Sequence, residues 1–178
     1  MNIIKGSILI TVLALTVSSG IGQSKSETDV VNPVITNYNV DTSLIAVLPY
    51  SKTQNLIFKD CSQAELNLLD LEKIDSLLTK CVAEYNLEQE RQFNKFSEKA
   101  KKNHSLSLMN IKNHKRQYIA VINQENEKEV WVNCFCSSYF PNWRTQIAKV
   151  LGGGKCYFNL KMNLTKGFYY HLMVNADR

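Results

Sequence analysis

Cysteine and histidine are the residue types in this sequence that are best able to do chemistry. The chain has five cysteines and three histidines. Cys134 and Cys136 are two positions apart in EVWVNCFC (129–136), so both side chains would lie on one face of a β-strand. Cys156 opens the next segment with strand character. We therefore expect three cysteines to converge on two neighbouring strands.

A disulfide is the favoured use of these cysteines. We expect Cys156 to pair with Cys134 or with Cys136, because an exported chain folds in an oxidising compartment. A second bridge, between Cys61 and Cys81, would tie the segment before the main helix to that helix. Spacing leaves these pairings open, and two bridges among five cysteines leave one free thiol.

Metal binding and thiol catalysis are the alternative uses of the same residues. Cys134, Cys136 and Cys156 with His171 could surround zinc, but one C-x-C pair is a weaker signal than two C-x₂-C pairs. Cys156 with His171 is the pairing that could supply a thiolate and its base. We expect His171 instead to be a hydrogen-bonded, partly buried residue of the last strand. The sequence therefore predicts no catalytic residue, no metal and no cofactor.

Aromatic residues suggest a binding surface on the sheet. Trp131 and Phe135 alternate with the cysteines of their strand, and Tyr157 and Tyr170 join them in one choice of register. If the cysteine face packs on a helix, these aromatic residues line an open face that could bind a ligand. The alternative is that residues 45–60 cover that face.

One helix must support the cysteine face. Asn67 followed three residues later by Asp70 is typical of a capping box. After it, apolar residues recur at steps of three and four, which predicts a helix of about 18 residues that Asn86 can end. The members of this stripe are Leu71, Ile74, Leu77, Leu78, Cys81, Val82 and Tyr85. Residues 87–104 are highly charged and predict a helical extension or a second surface helix.

Four strands follow in two hairpins. RQYIAVIN (116–123) and EVWVNCFC (129–136) flank a polar turn, and KCYFNLKMN (155–163) and GFYYHLMVN (167–175) flank a second turn. A long loop, residues 137–154, joins the hairpins and closes at three glycines. The predicted fold is α+β, with one main helix packed on a curved four-stranded antiparallel sheet in the order α-β-β-β-β.

The first residues are typical of a secretory signal. Lys5 precedes an apolar run of ten residues, Ile8 to Val17, and small residues follow as far as Gly22. The run is too short to span a bilayer, which needs roughly 20 residues. We expect residues 1–22 to be removed, residues 23–44 to be an extended segment and residues 45–178 to be one domain. The mature chain would be secreted or periplasmic, without a transmembrane helix.

Composition excludes several classes of protein. Hydrophobic residues make up 44% of the chain and charged residues 21%, which excludes collagen, a polar disordered chain and a polytopic membrane protein. The net charge of +5 is small. The two dense basic runs, Lys99–Lys102 and Lys112–Arg116, read as solvated surface, and no nucleic-acid partner is predicted.

Four sequence strings carry a resemblance to known proteins: KRQYIAVIN, EVWVNCFC and GGGKCYFNLKMNLTKGFYYHLMVN in the strands, and AELNLLDLEKIDSLLTKCVAEYN in the helix. They resemble a group of small exported bacterial proteins of uncharacterised function. That resemblance implies a cystatin-like or nuclear-transport-factor-like arrangement of one helix across a curved sheet. Similarity to cystatin inhibitors themselves is weaker. In their Q-x-V-x-G hairpin pattern, Gln117 is kept, but Ile119 replaces the valine and Val121 the glycine.

The favoured function is a non-enzymatic exported domain that binds a protein, a peptide or a small apolar ligand on its sheet. One alternative is a thiol- or zinc-dependent enzyme built on Cys134, Cys136, Cys156 and His171. The other is a structural protein of the cell envelope.

Overall fold

The computed structural model describes residues 42–51, 57–136 and 140–177. The predicted signal, residues 1–22, and residues 23–41 of the expected extended segment lie outside the described residues. The elements reported below are those of the described part of the chain.

An open, mostly antiparallel sheet and one long helix form the α+β fold. Four strands lie in the order β3-β4-β5-β6, and each is antiparallel to its neighbour. Two short strands, β1 and β2, share the outer edge of β3, β1 in parallel and β2 antiparallel. The bounds are β1 Ile45–Val47, β2 Ser62–Gln63, α1 Leu68–Asn94, α2 Glu98–Lys101, β3 Lys115–Ile122, β4 Lys128–Phe135, β5 Tyr157–Asn163 and β6 Phe168–Val174.

Both predicted hairpins are confirmed, but the sheet has more strands than predicted. β3 pairs with β4 and β5 with β6, within two residues of the expected bounds. β1 and β2 are strands of three and two residues. Segments this short carry no readable alternation, so periodicity does not identify them as strands, although the apolar run that contains β1 allowed pairing at a sheet edge.

The main helix begins where the sequence predicts. The Asn67 side chain accepts a hydrogen bond from the backbone N–H of Asp70 at 2.9 Å, and the Asp70 carboxylate accepts one from the N–H of Asn67 at 3.0 Å. This reciprocal pair is a capping box, which satisfies two N–H groups of the first turn. The predicted apolar stripe from Leu71 to Val82 is buried, and Tyr85 packs partly against it.

The helix does not use Asn86 as its end but has the helical extension that was one of the two expectations for residues 87–104. It continues to Asn94, 27 residues in all. The Asn86 carboxamide donates from Nδ2 to the carbonyl of Met109 at 2.9 Å and accepts from its N–H at 2.7 Å. The Asn86 side chain is therefore hydrogen-bonded to a distant backbone segment and does not cap the end of its own helix.

Each face of the sheet carries a buried core. The helix covers one face, and we call the resulting cluster the helix-side core. The opposite cluster, the loop-side core, lies under residues 46–50, 57–58 and 140–148. The helix-side core includes Leu71, Ile74, Leu78, Cys81, Tyr118, Val130, Val132, Cys134, Phe158, Leu160 and Met162. The loop-side core includes Leu48, Phe58, Ile119, Val121, Trp131, Phe135, Trp143 and Ala148.

Two ion pairs fasten the helix to the sheet. Lys128 contacts Asp70 at 2.7 Å, and Arg116 contacts Asp75 at 2.9 Å. The Arg116 side chain is largely buried, whereas Asp75 remains partly exposed. These pairs add charge-assisted hydrogen bonds at two points along the helix and help to set its position on the strands.

A buried pair of carboxamides holds the loop before β5 on the sheet. Gln117 and Asn133 lie directly opposite each other on β3 and β4. Gln117 Nε2 donates to the carbonyls of Trp143 and Gln146, and its Oε1 accepts from Asn133 Nδ2 at 3.0 Å and from the N–H of Ala148 at 2.9 Å. Asn133 Nδ2 also donates to the carbonyl of Ala148 at 2.9 Å. The backbone of this loop is therefore hydrogen-bonded to side chains of β3 and β4 and not to the backbone of a strand.

We expect Gln117→Leu to lower the free energy of unfolding by on the order of 3 kcal/mol, because it leaves a buried N–H and carbonyls without partners. Urea denaturation measures the loss, and hydrogen exchange at the Ala148 amide locates it.

Gln124→Leu in the exposed β3–β4 turn is the matched control, and its effect should stay within about 0.5 kcal/mol. Equal stability of Gln117→Leu and the parent protein would show that the network does not hold the loop.

Candidate functional site

One disulfide closes the base of the loop that joins the two hairpins. Cys136 and Cys156 are bonded, with their Cα atoms 5.2 Å apart and 20 positions apart in sequence. This is one of the two pairings that the sequence left open for Cys156. Cys136 lies just beyond the end of β4, where its N–H also donates to the carbonyl of Cys156 at 3.1 Å. Cys134 is instead buried in the helix-side core.

The second expected bridge, between Cys61 and Cys81, is wrong. Both are free thiols in the structure. Cys61 packs at the edge of the loop-side core, whereas Cys81 belongs to the helix-side core. The sheet therefore separates the two sulfurs.

The alternative thiol or zinc site is not assembled. The disulfide uses Cys136 and Cys156, Cys134 lies in the core, and His171 is exposed on β6. Among the described residues, no group of three or more His, Cys, Asp or Glu side chains is placed to hold a metal ion.

The free thiols are also poor nucleophiles. Burial raises the pKa of Cys81 to about 11 and the pKa of Cys134 to about 12. Burial, with the carboxylates of Glu129 and Asp60, raises the pKa of Cys61 as well. All three therefore stay protonated at neutral pH, and the thiolate is the reactive form.

His171 was expected to be partly buried, and that expectation is wrong. A bulge between the pairs made by Asn159 and Lys161 inserts an extra residue into β6, and His171 has φ 50° there. The extra residue breaks the alternation, so His171 is exposed beside the ring of Tyr170, with 4.9 Å between ring centroids.

The aromatic residues of β4 do not form an open face. Trp131 is only 8% exposed and Phe135 is fully buried. Residues of the 45–60 segment cover them in part, which was the alternative considered from the sequence, and Trp143 of the loop completes the cover. Tyr170 is partly buried, and its hydroxyl donates to Glu129 at 3.0 Å.

The cover leaves a groove over β4 and β5. It has a volume of about 360 Å³, in the range of ligand sites. Its apolar lining comprises Ile57, Trp131, Ile147, Ala148, Val150, Leu151, Tyr157 and Phe158, and its polar lining comprises Asn133, Lys149, Asn159 and Asn175. Two of the four predicted aromatic residues, Trp131 and Tyr157, thus line a cavity, whereas Phe135 and Tyr170 do not. Leu151 is 98% exposed.

Carboxamides fix the walls of this groove. Asn175 Nδ2 donates to the carbonyls of Val150 at 2.8 Å and Gly152 at 2.9 Å. Trp131 Nε1 donates to Asn159 Oδ1 at 3.1 Å, which orients the Asn159 side chain. Among the described residues Asn159 Nδ2 donates no hydrogen bond, and Asn159 is one of the polar residues that line the groove.

Two glycines allow the chain to pass from the groove wall into β5. Gly153 has φ 81° and Gly154 φ 54°, both in the left-handed region. A Cβ on Gly154 would lie 1.7 Å from Asp177 Oδ1, and one on Gly153 would lie 2.6 Å from the Tyr157 ring. Turn geometry therefore requires glycine at both positions.

Sequence reasoning missed the carboxamides Asn133, Asn159 and Asn175. A weak signal was present, because Asn133 interrupts the apolar strand VWVNCF. The sequence suggested a role for Gln117 only through the Q-x-V-x-G pattern of cystatins. In the structure Gln117–Val121 is the buried middle of β3, so this segment is not a hairpin tip offered to a protease.

Comparison of the chain with protein-family models, curated proteins and solved structures gave no match. Among the described residues, none of the helices has the length and apolarity to cross a membrane.

His114 makes stability depend on pH. The Nε2–H of its buried ring donates to the carbonyl of Lys155 at 3.4 Å, and the ring packs against Phe158. Burial lowers the pKa of His114; the Lys155 carbonyl opposes this shift, and the charge of Arg116 adds to it. Asp75 faces Arg116 and forms an ion pair with it.

We expect stability to fall as the pH drops below the ordinary histidine pKa of about 6.5, because the unfolded chain then binds a proton that the folded chain refuses. Above that pH the contribution is fully present. Urea midpoints between pH 8 and pH 5 should fall less in His114→Gln than in the parent protein. His104→Gln, at an exposed histidine, should leave the parent slope unchanged. Parallel slopes for all three proteins would contradict the prediction.

We expect loss of the disulfide in Cys136→Ser/Cys156→Ser to lower the free energy of unfolding by about 3 kcal/mol, the loop-closure term for a loop of this length. Denaturation of the variant and of the parent, each with and without reductant, measures it.

Cys61→Ser, at a half-buried free thiol, is the control and should keep the parent's sensitivity to reductant. If reductant does not change the free energy of unfolding of the parent protein, the assigned bridge is contradicted.

Proposed function

We propose that this protein is a non-enzymatic exported domain that binds an apolar ligand carrying a carbonyl or carboxylate oxygen, with a short peptide as the favoured ligand. The groove carries this proposal. Trp131, Tyr157 and Leu151 offer apolar contacts, and Asn159 Nδ2 offers a hydrogen-bond donor to an acceptor oxygen. A peptide supplies both apolar side chains and backbone carbonyls.

Rigidity of the walls supports a binding role. The disulfide, the Gln117 network and Asn175 fix the loop before a ligand arrives. A preorganised site avoids the conformational entropy cost of ordering a loop on binding, so more of the contact energy contributes to affinity. The high pKa values of the buried thiols give no comparable support to an enzyme.

Export is part of the same proposal. The Cys136–Cys156 disulfide is compatible with an oxidising compartment, and the predicted signal in residues 1–22 supports secretion or a periplasmic location. We also propose kinship with the small exported bacterial proteins that the strand strings resemble. One helix across an antiparallel sheet is compatible with their cystatin-like or nuclear-transport-factor-like arrangement.

We expect the indole N–H resonance of Trp131 to shift saturably when N-acetyl-Leu-Leu-amide is titrated into the ¹⁵N-labelled protein. The indole lines the groove and bonds to Asn159, so a ligand there changes its surroundings. N-acetyl-Gly-Gly-amide, which lacks the apolar side chains, should give no saturable shift. The indole of Trp143 serves as an internal reference.

Asn159→Asp keeps the acceptor for Trp131 but removes the Nδ2 donor, so affinity for the leucyl peptide should fall roughly tenfold. Leu151→Ser should also weaken binding, whereas Leu69→Ser, at an exposed leucine of the first turn of α1, should not. If the indole resonance of Trp131 does not shift when the leucyl peptide is added, the proposal is overturned.

A further inference from the structure

Residues 87–108 lie outside both hydrophobic cores. We call this segment the arm. Its two ends meet where the Asn86 carboxamide binds both backbone groups of Met109. The arm contains the last part of α1, the short helix α2 and the extended residues that return to β3. None of its residues is buried, although Met109 immediately after it is.

The length of α1 explains why the arm is exposed. A helix of 27 residues is about 40 Å long, whereas strands of eight residues span about 26 Å. The buried residues of α1 end at Val82. The arm therefore begins where the helix no longer packs on the sheet, and the helix-side core does not need it.

Positive charge is concentrated at the end of the arm. Residues 95–108 contain four lysines and one glutamate, which gives +3 of the net +5 of the whole chain. Glu98 pairs with Lys101 at 3.0 Å. Within the described residues, Lys95, Lys99 and Lys102 have no carboxylate partner.

Apolar side chains are exposed among these lysines. Phe96, Leu106 and Leu108 are 42%, 41% and 43% exposed. Phe96 contacts the rings of Phe93 and His104, at centroid distances of 6.1 and 5.2 Å, so the apolar groups are partly ordered. Their exposure has no explanation in the packing of this domain.

We propose that the arm docks on an anionic lipid surface. Unpaired lysines would contact the headgroups, while Phe96, Leu106 and Leu108 enter the boundary between headgroups and acyl chains. Basic clusters with interspersed aromatic and aliphatic residues bind such surfaces through both terms. Protein interfaces are, in contrast, depleted in lysine, so an acidic protein is the less favoured occupant.

The test is flotation of the full chain with vesicles. Binding should be seen with phosphatidylglycerol and phosphatidylcholine at a ratio of 3:7, should be absent with phosphatidylcholine alone, and should fall as salt rises. Lys95→Gln/Lys99→Gln/Lys102→Gln should weaken it on the order of a hundredfold, as three lysines near an anionic surface predict. The matched control, Lys59→Gln/Lys73→Gln/Lys80→Gln, removes three exposed lysines elsewhere and should keep the affinity.

A second readout places the contact on the arm and not on the apolar residues 1–22. The indole introduced by Phe96→Trp should be quenched by brominated phosphatidylglycerol, whereas one introduced by Leu69→Trp at the far end of α1 should not. Equal binding to both vesicle types, equal losses in both triple variants, or no quenching of the indole at position 96 would each overturn the proposal. Binding of poly-glutamate through the arm without binding to vesicles would also overturn it, in favour of an acidic polypeptide.

Discussion

The side chain of Gln117 is the interaction on which the loop-side half of the molecule depends. It is fully buried in the middle of β3, and both of its functional atoms are used twice. A loop without secondary structure must find partners for its backbone polar groups before it can be buried. Gln117, with Asn133 opposite it, supplies those partners at Trp143, Gln146 and Ala148. The loop can then bring Trp143 onto Phe135 and close the core.

The groove follows from the way the loop is held. The loop is attached to the sheet through Gln117 and Asn133, to the chain after β6 through Asn175, and to its own base through the Cys136–Cys156 bridge. Between these attachments it does not touch the sheet closely enough to exclude a ligand. The cavity over Trp131 and Tyr157 is therefore the space that a loop fixed by hydrogen bonds leaves open, rather than a gap in loosely packed side chains.

The sequence predicted correctly the elements in which apolar residues repeat with a short period. The stripe from Leu71 to Val82 and the alternation on β4 identified the helix, the two hairpins and the face that carries Cys134. The sequence did not decide between a helix end at Asn86 and a helical extension, because Asn86 is used in a tertiary contact with Met109, 23 residues away. Whether the aromatic face is open or covered was left undecided for the same reason, since part of its cover is held by bonds from Gln117 to residues 26 to 31 positions later. No periodic pattern encodes such contacts. The partner of Cys156 depended on the point where β4 stops pairing, a boundary that alternation does not fix.

Uncharged carboxamides hold every loop on which the two proposed surfaces depend. Asn86 binds Met109 at the base of the arm, Gln117 and Asn133 bind the loop over the sheet, and Asn175 binds the groove wall. Amides do not titrate, and their short-range bonds are little screened by salt, so these attachments do not themselves respond to pH or ionic strength. The charges that face solvent behave differently, because the attraction of Lys99 and Lys102 for an anionic surface decays within about a Debye length. The fold thus combines loop attachments that do not depend on charge with a basic arm whose proposed affinity for an anionic surface does.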